Sequence, residues 1–165
     1  MGENSKSAQL QIRVSPAQKT AIERAARGAG MDMSAYVLNI VLPELTAAFA
    51  ARVAACRDAA GSRFGLAELN TFLAKLTANE LRIAVAAPPP DMLTDYLANY
   101  VAAMVEYACA RATISPPAWT RTVKPLATPF FGSTLPGLRL YLLTHSPAPF
   151  RRRNLFIDSS VGAQI

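Results

Sequence analysis

The chain has 165 residues, 52% of them hydrophobic and 17% charged, which is enough apolar material for one ordinary domain, or a small module with a second unit, and excludes a disordered polar polymer. The opening MGENSKSAQ is polar and the uncharged run Met33 to Pro43 is far shorter than a bilayer core of about 30 Å requires, so no membrane span is expected and the expected compartment is the cytoplasm. The net charge of +6 is uneven: residues 1–61 carry seven basic and five acidic side chains, residues 62–120 four and five, and residues 121–165 six and one. Such a balance points to nucleic acid or an acidic partner without separating them.

In chain order, Leu10, Ile12 and Val14 alternate with Gln9, Gln11 and Arg13, the period of a strand with one apolar face. Ser15-Pro16-Ala17-Gln18 then predicts a helix start, with Ser15 as N-cap, Pro16 at the first helical position and Gln18 closing a capping box. Ile22, Ala25, Ala26 and Ala29 form its expected buried face, and Gly28 and Gly30 its end. Ser34 is the expected N-cap of a second helix running through Tyr36, Val37, Leu38, Ile40, Val41 and Leu42. A helix so apolar all round requires burial, and in so small a unit a second copy of the chain must supply it.

Pro43 kinks or restarts that helix, and the alanine-rich stretch to Gly61, with Phe49, Val53 and Cys56 on one face, is expected as a helical connector. Leu66, Leu69, Phe72, Leu73 and Leu76 predict one amphipathic helix, and Thr77 with Glu80 a capping box opening another that Pro88-Pro89-Pro90 stops. A long helix is expected from Asp91 to about Arg111, with Leu93, Leu97, Tyr100, Val101, Met104 and Ala108 as its core stripe. Residues 114–135, carrying four prolines, Trp119, Phe130 and Phe131, have neither period and are expected to wrap a surface in extended form. A further helix over Leu135 to His145, a short turn with Phe150, and a final strand at Leu155-Phe156-Ile157 complete the chain. Cys56 and Cys109, in apolar helical sequence, are expected as buried free thiols, without disulfide or metal.

The stretch QLQIRVSPAQKTAIERAARGAGMDMSAYVLNIVL, Gln9 to Leu42, resembles the ribbon-helix-helix family of bacterial repressors and antitoxins, in particular antitoxins that neutralise acetyltransferase-type toxins. The resemblance covers about a quarter of the chain. It implies an intertwined homodimer whose paired N-terminal strands enter the major groove of duplex DNA at an operator. Arg13 suits a bidentate pair on guanine O6 and N7, and Gln9 and Gln11 each offer a donor and an acceptor to adenine. Ser34, opening the second helix, would direct backbone amides and the helix dipole at a phosphate. Asp32 and Glu23 stand near the same side and oppose an anion there.

Arg151-Arg152-Arg153 forms a second candidate site, either a solvated helix end or a contact to DNA phosphates or an acidic partner. No nucleophile elbow, phosphate loop, dinucleotide fingerprint or zinc-protease helix occurs, and His145 is the only histidine, so no enzyme, cofactor or metal is expected. The fold class expected is mainly α: a ribbon-helix-helix module at residues 1–45, a helical connector at 46–61 and a helical partner-binding domain at 62–165 with the Pro/aromatic extended segment. The expected function is an antitoxin-like autorepressor whose C-terminal domain binds a toxin, although some 100 residues after the module far exceed a short toxin-wrapping tail. The alternative is a structural or interaction protein, plasmid- or phage-related, in which the ribbon only dimerises.

Overall fold

A computed structural model describes residues 11–41, 44–57, 62–89 and 93–158. The fold is mainly helical, as expected. Among the described residues the order is α1 (Pro16–Gly28), α2 (Met33–Val41), α3 (Glu44–Ala55), α4 (Ser62–Lys75), α5 (Ala78–Ala84), α6 (Asp95–Arg111), a 3-10 turn (Ala118–Thr122), β1 (Phe130–Phe131), α7 (Pro136–His145), α8 (Ala148–Arg151) and β2 (Leu155–Phe156).

Local chemistry explains the helix ends. The Ser15 hydroxyl accepts from the Gln18 amide at 3.3 Å and the Gln18 side chain accepts from the Ser15 amide at 2.9 Å, so both partners of the box are in place. At the other end of α1, Met31 N–H donates to Ala26 C=O at 2.9 Å and Gly30 N–H to Arg27 C=O at 3.1 Å. That pair of bonds needs a left-handed residue between them, and Gly30 supplies it at φ +68°. Thr77 and Glu80 repeat the capping box at α5. Helix α6 opens later than expected, at Asp95, because the Thr94 hydroxyl accepts from the Leu97 amide and caps it there; Asp91 lies outside the described residues.

The core gathers around α6, whose Leu97, Val101, Ala103, Met104, Val105 and Cys109 are buried. Helices α3, α4 and α5 pack together beside it. The stretch expected to be a connector contributes fully: Phe49, Val53 and Cys56 of α3 and its C-terminus are buried in that cluster, and Thr46 donates to Ile83 C=O. Burial pushes the Cys56 and Cys109 thiols up to about 11, with Glu68 and Glu106 as smaller contributions, so both stay in the neutral thiol form near pH 7.

Helices α3 and α4 approach closely at Gly65. A Cβ there would lie 3.0 Å from Cys56 Cα and 3.1 Å from Cys56 N, which are backbone atoms that cannot swing aside. Gly65→Ala is therefore expected to destabilise the chain, because an overpacking cost of about 1–3 kcal/mol exceeds the roughly 1 kcal/mol that alanine gains in helix propensity. Gly65→Val should be worse. Urea midpoints measure both, and an Ala variant at or above the wild-type midpoint would show that the two helices separate freely.

The segment after α6 wraps the domain, as its prolines and aromatics suggest. Trp119 Nε1 donates to Val85 C=O at 2.8 Å, and Phe130 packs on Tyr96 with ring centres 4.6 Å apart. Its end pairs as β1 parallel to β2, with Phe130 beside Leu155 and Phe131 beside Phe156. The final strand was legible in the sequence; its partner, 25 residues earlier by that register, was not.

Candidate nucleic-acid interface

The expected reading head begins where the described residues begin: Gln9 and Leu10 lie outside them. Gln11, Ile12, Arg13 and Val14 are all exposed and, among the described residues, join no strand. Ile12 is 58% exposed and Val14 41%, so the apolar side expected to pack on the helices is uncovered in a single chain. The physical reason is direct. A strand needs both a ladder partner and a lid over its apolar face, and the described residues of one copy supply neither.

The helices that follow are in the expected order with different burial. Of the predicted inner face of α1, Ala26 is buried and Ile22 half-buried, while Ala25 and Ala29 are exposed. On α2, Ala35 is buried, whereas Met33 and Ile40 are exposed, Ile40 at 61%. Helix α2 packs on α1 and α5. What remains is exposed apolar surface at Met33 and Ile40, in the same N-terminal part of the chain as the uncovered Gln11–Val14 segment.

Ser34 is not the N-cap. The Asp32 carboxylate accepts from the Ala35 amide at 2.9 Å and Asp32 C=O accepts from Tyr36 N–H at 2.9 Å, so Asp32 caps α2 and Ser34 sits exposed in its first turn. A carboxylate placed two residues earlier takes the amide first and carries a full negative charge against the helix dipole. Phosphate binding at this terminus would have to compete with that charge.

Other exposed cations follow Arg13, on α1. Lys19, Arg24 and Arg27 on α1 are exposed; Lys19 approaches Glu23 at 3.9 Å, and Arg27 Nε donates to Glu23 C=O at 3.4 Å. No local signal in the sequence distinguishes these three from ordinary helix-surface charges. Each is chemically able to contact a phosphate.

The C-terminal triplet divides. Arg151 and Arg152 are exposed, but Arg153 is buried and cannot reach a partner or a phosphate. Its Nη2 donates to Glu106 Oε1 and to Thr120 C=O, each at 2.6 Å, and its Nη1 to Asn99 Oδ1 and Val123 C=O, each at 3.3 Å. Asn99 in turn donates to Lys124 C=O at 2.9 Å. The triplet's third member thus holds the wrapped segment to α6. The signal that could have found it was Glu106 and Asn99 on an otherwise apolar helix, since a buried carboxylate calls for a cation.

His145 ends α7, stacked on Tyr141 at 4.0 Å with Nδ1 3.0 Å from Tyr141 C=O. Among the described residues no three metal-ligating side chains come together, and no helix is long and apolar enough to cross a membrane.

Residues 4–84, just under half of the chain, match the model of the NikA-like family, described as mobilization protein NikA. The match includes the whole stretch that resembles the ribbon-helix-helix family and continues through α5. It agrees with a DNA-binding family of that general kind and carries no antitoxin description. No curated protein and no solved structure matches the chain.

Proposed function

We propose that the protein is a non-enzymatic, homodimeric DNA-binding protein of mobilization type, whose paired N-terminal strands recognise a duplex site and whose helical C-terminal part engages a protein partner. The observation that carries this reading is the exposed Gln11-Ile12-Arg13-Val14 segment ahead of a capped helix, inside the stretch that matches the mobilization family. Pairing two such segments gives each the ladder it lacks and turns Gln11 and Arg13 outward together. The uncovered apolar side chains of α2 supply the adhesive surface of the same dimer. An antitoxin role and a toxin partner receive no support from the comparisons, and the partner is left undefined by them.

Dimerisation is tested at Ile40. In one chain its side chain stands in water, so Ile40→Lys should leave the folded monomer intact. In the dimer it would bury an unpaired ammonium in each copy, at a cost of several kcal/mol. Sedimentation should show a wild-type dimer at micromolar concentration and a folded Ile40→Lys monomer; a monomeric wild type sinks the ribbon. Recognition is tested by titrating the dimer with duplexes tiling the DNA around its own gene, against scrambled duplexes of equal length. Binding no tighter to any of the former sinks the DNA reading.

A further inference from the structure

Between Glu106 and Asp158 the chain has no acidic residue and seven cations. Arg153 is consumed internally, while Arg111, Arg121, Lys124, Arg139, Arg151 and Arg152 are all exposed. Helix α7 and the short α8 that ends at Arg151 and Arg152 both pack on β2, and α7 is itself incompletely housed. Of its apolar residues only Leu142 is buried, and Leu138, Leu140, Tyr141 and Leu143 are exposed, Leu140 at 72%. At 100° per residue Leu140 stands nearly opposite Leu142, with Tyr141 and Leu143 on the two flanks, so apolar side chains project on every side, with Arg139, Thr144 and His145 between them. A short helix with that much uncovered apolar surface calls for a partner.

We infer that α7, with its own Arg139 and with Arg151 and Arg152 on the adjoining α8, docks an acidic amphipathic helix of a partner protein, one with a leucine-type stripe flanked by Asp or Glu. The inference rests on the reading of the C-terminal part as partner-binding and names the surface and the chemistry. Charge complementarity selects the occupant. A second copy would bring the same cations against their like, which repel. Duplex DNA would satisfy the cations but has no use for four exposed apolar side chains on one short helix, because protein–DNA interfaces are polar. An anionic bilayer is held by a long helix with a Lys/Arg-rich face. Helix α7 has ten residues and one cation, Arg139, whose guanidinium sits 5.3 Å from the Phe131 ring centre.

The test uses the full chain and a fluorescent synthetic peptide of about five helical turns, with leucines at i, i+3, i+4 and i+7 and glutamates on the flanks. Controls are the same composition scrambled to destroy the stripe, the lysine counterpart, phosphatidylserine-containing vesicles and a random-sequence duplex. Saturable binding of the acidic helix is expected, weaker by about tenfold or more for the scrambled and lysine peptides. Leu140→Ser and the double variant Arg151→Glu/Arg152→Glu should each lower it by a similar factor with unchanged circular dichroism and unfolding midpoint. Amide exchange should slow on α7 when the peptide binds. No peptide binding, equal binding of the scrambled peptide, an unaffected Leu140→Ser variant, or vesicles or duplex occupying α7 instead would each overturn the inference. Operator titrations on the same preparation keep the outcomes apart: DNA recognition with no peptide binding overturns this inference alone.

Discussion

Replacing Arg153 with alanine is expected to destabilise the protein by about 3–5 kcal/mol, the range for leaving one charge of a buried pair without its partner. The side chains of Arg153 and Glu106 are 6% and 15% exposed and meet at 2.6 Å, so water cannot take over when the guanidinium is removed. Three further acceptors lose their donor at once: Asn99 Oδ1, Thr120 C=O and Val123 C=O. The last two lie in the wrapped segment, so that segment should loosen first and its amides should exchange faster. Arg153→Lys keeps the charge but lacks the planar fork that spans acceptors on separate elements, and should recover only part of the loss. Arg151→Ala and Arg152→Ala, in exposed positions of the same triplet, should stay within about 0.5 kcal/mol of wild type. Thermal unfolding of the four variants measures the contrast, and an Arg153→Ala midpoint equal to that of Arg151→Ala would refute a structural role for the third arginine.

The second large effect belongs to DNA recognition. Arg13→Ala should remove about 1–3 kcal/mol per lost bidentate contact to guanine, and in a symmetric dimer both subunits change, so about 2–6 kcal/mol on the cognate site. Binding to unrelated sequence should fall much less, since only the phosphate-directed charge of the side chain is lost there. Gln11→Ala should act in the same direction. The double variant Arg151→Ala/Arg152→Ala separates the two ends of the molecule. If those arginines serve the partner surface, operator affinity and its salt dependence remain as in wild type. If they touch phosphates, affinity falls on every sequence and the salt slope becomes shallower by roughly 0.9 per lost contact. Titrations at several salt concentrations resolve these results, and an Arg13→Ala protein that still discriminates its site as wild type does removes Arg13 from the reading head.

By itself the sequence determined what a single turn of chain can decide. The boxes Ser15/Gln18 and Thr77/Glu80, the turn through Gly30 and the apolar stripe of α6 each depend on residues three to seven positions apart, so spacing alone specifies them. Two local starts were misread: Ser34 for Asp32, where two competent caps stand two residues apart, and Asp91 for the helix that Thr94 caps. Only the tertiary structure decided which charges are available. Arg151, Arg152 and Arg153 are chemically identical in the sequence, yet the third is buried against groups 30 to 54 residues away. It also decided that α3 enters the core, because packing of Phe49 and Val53 depends on where α4 and α5 return. It left α7 and the N-terminal segment uncovered. Periodicity shows that an apolar face must be buried but not by what, since the atoms that cover it come from distant chain or from another molecule, and no spacing within the sequence records their arrival.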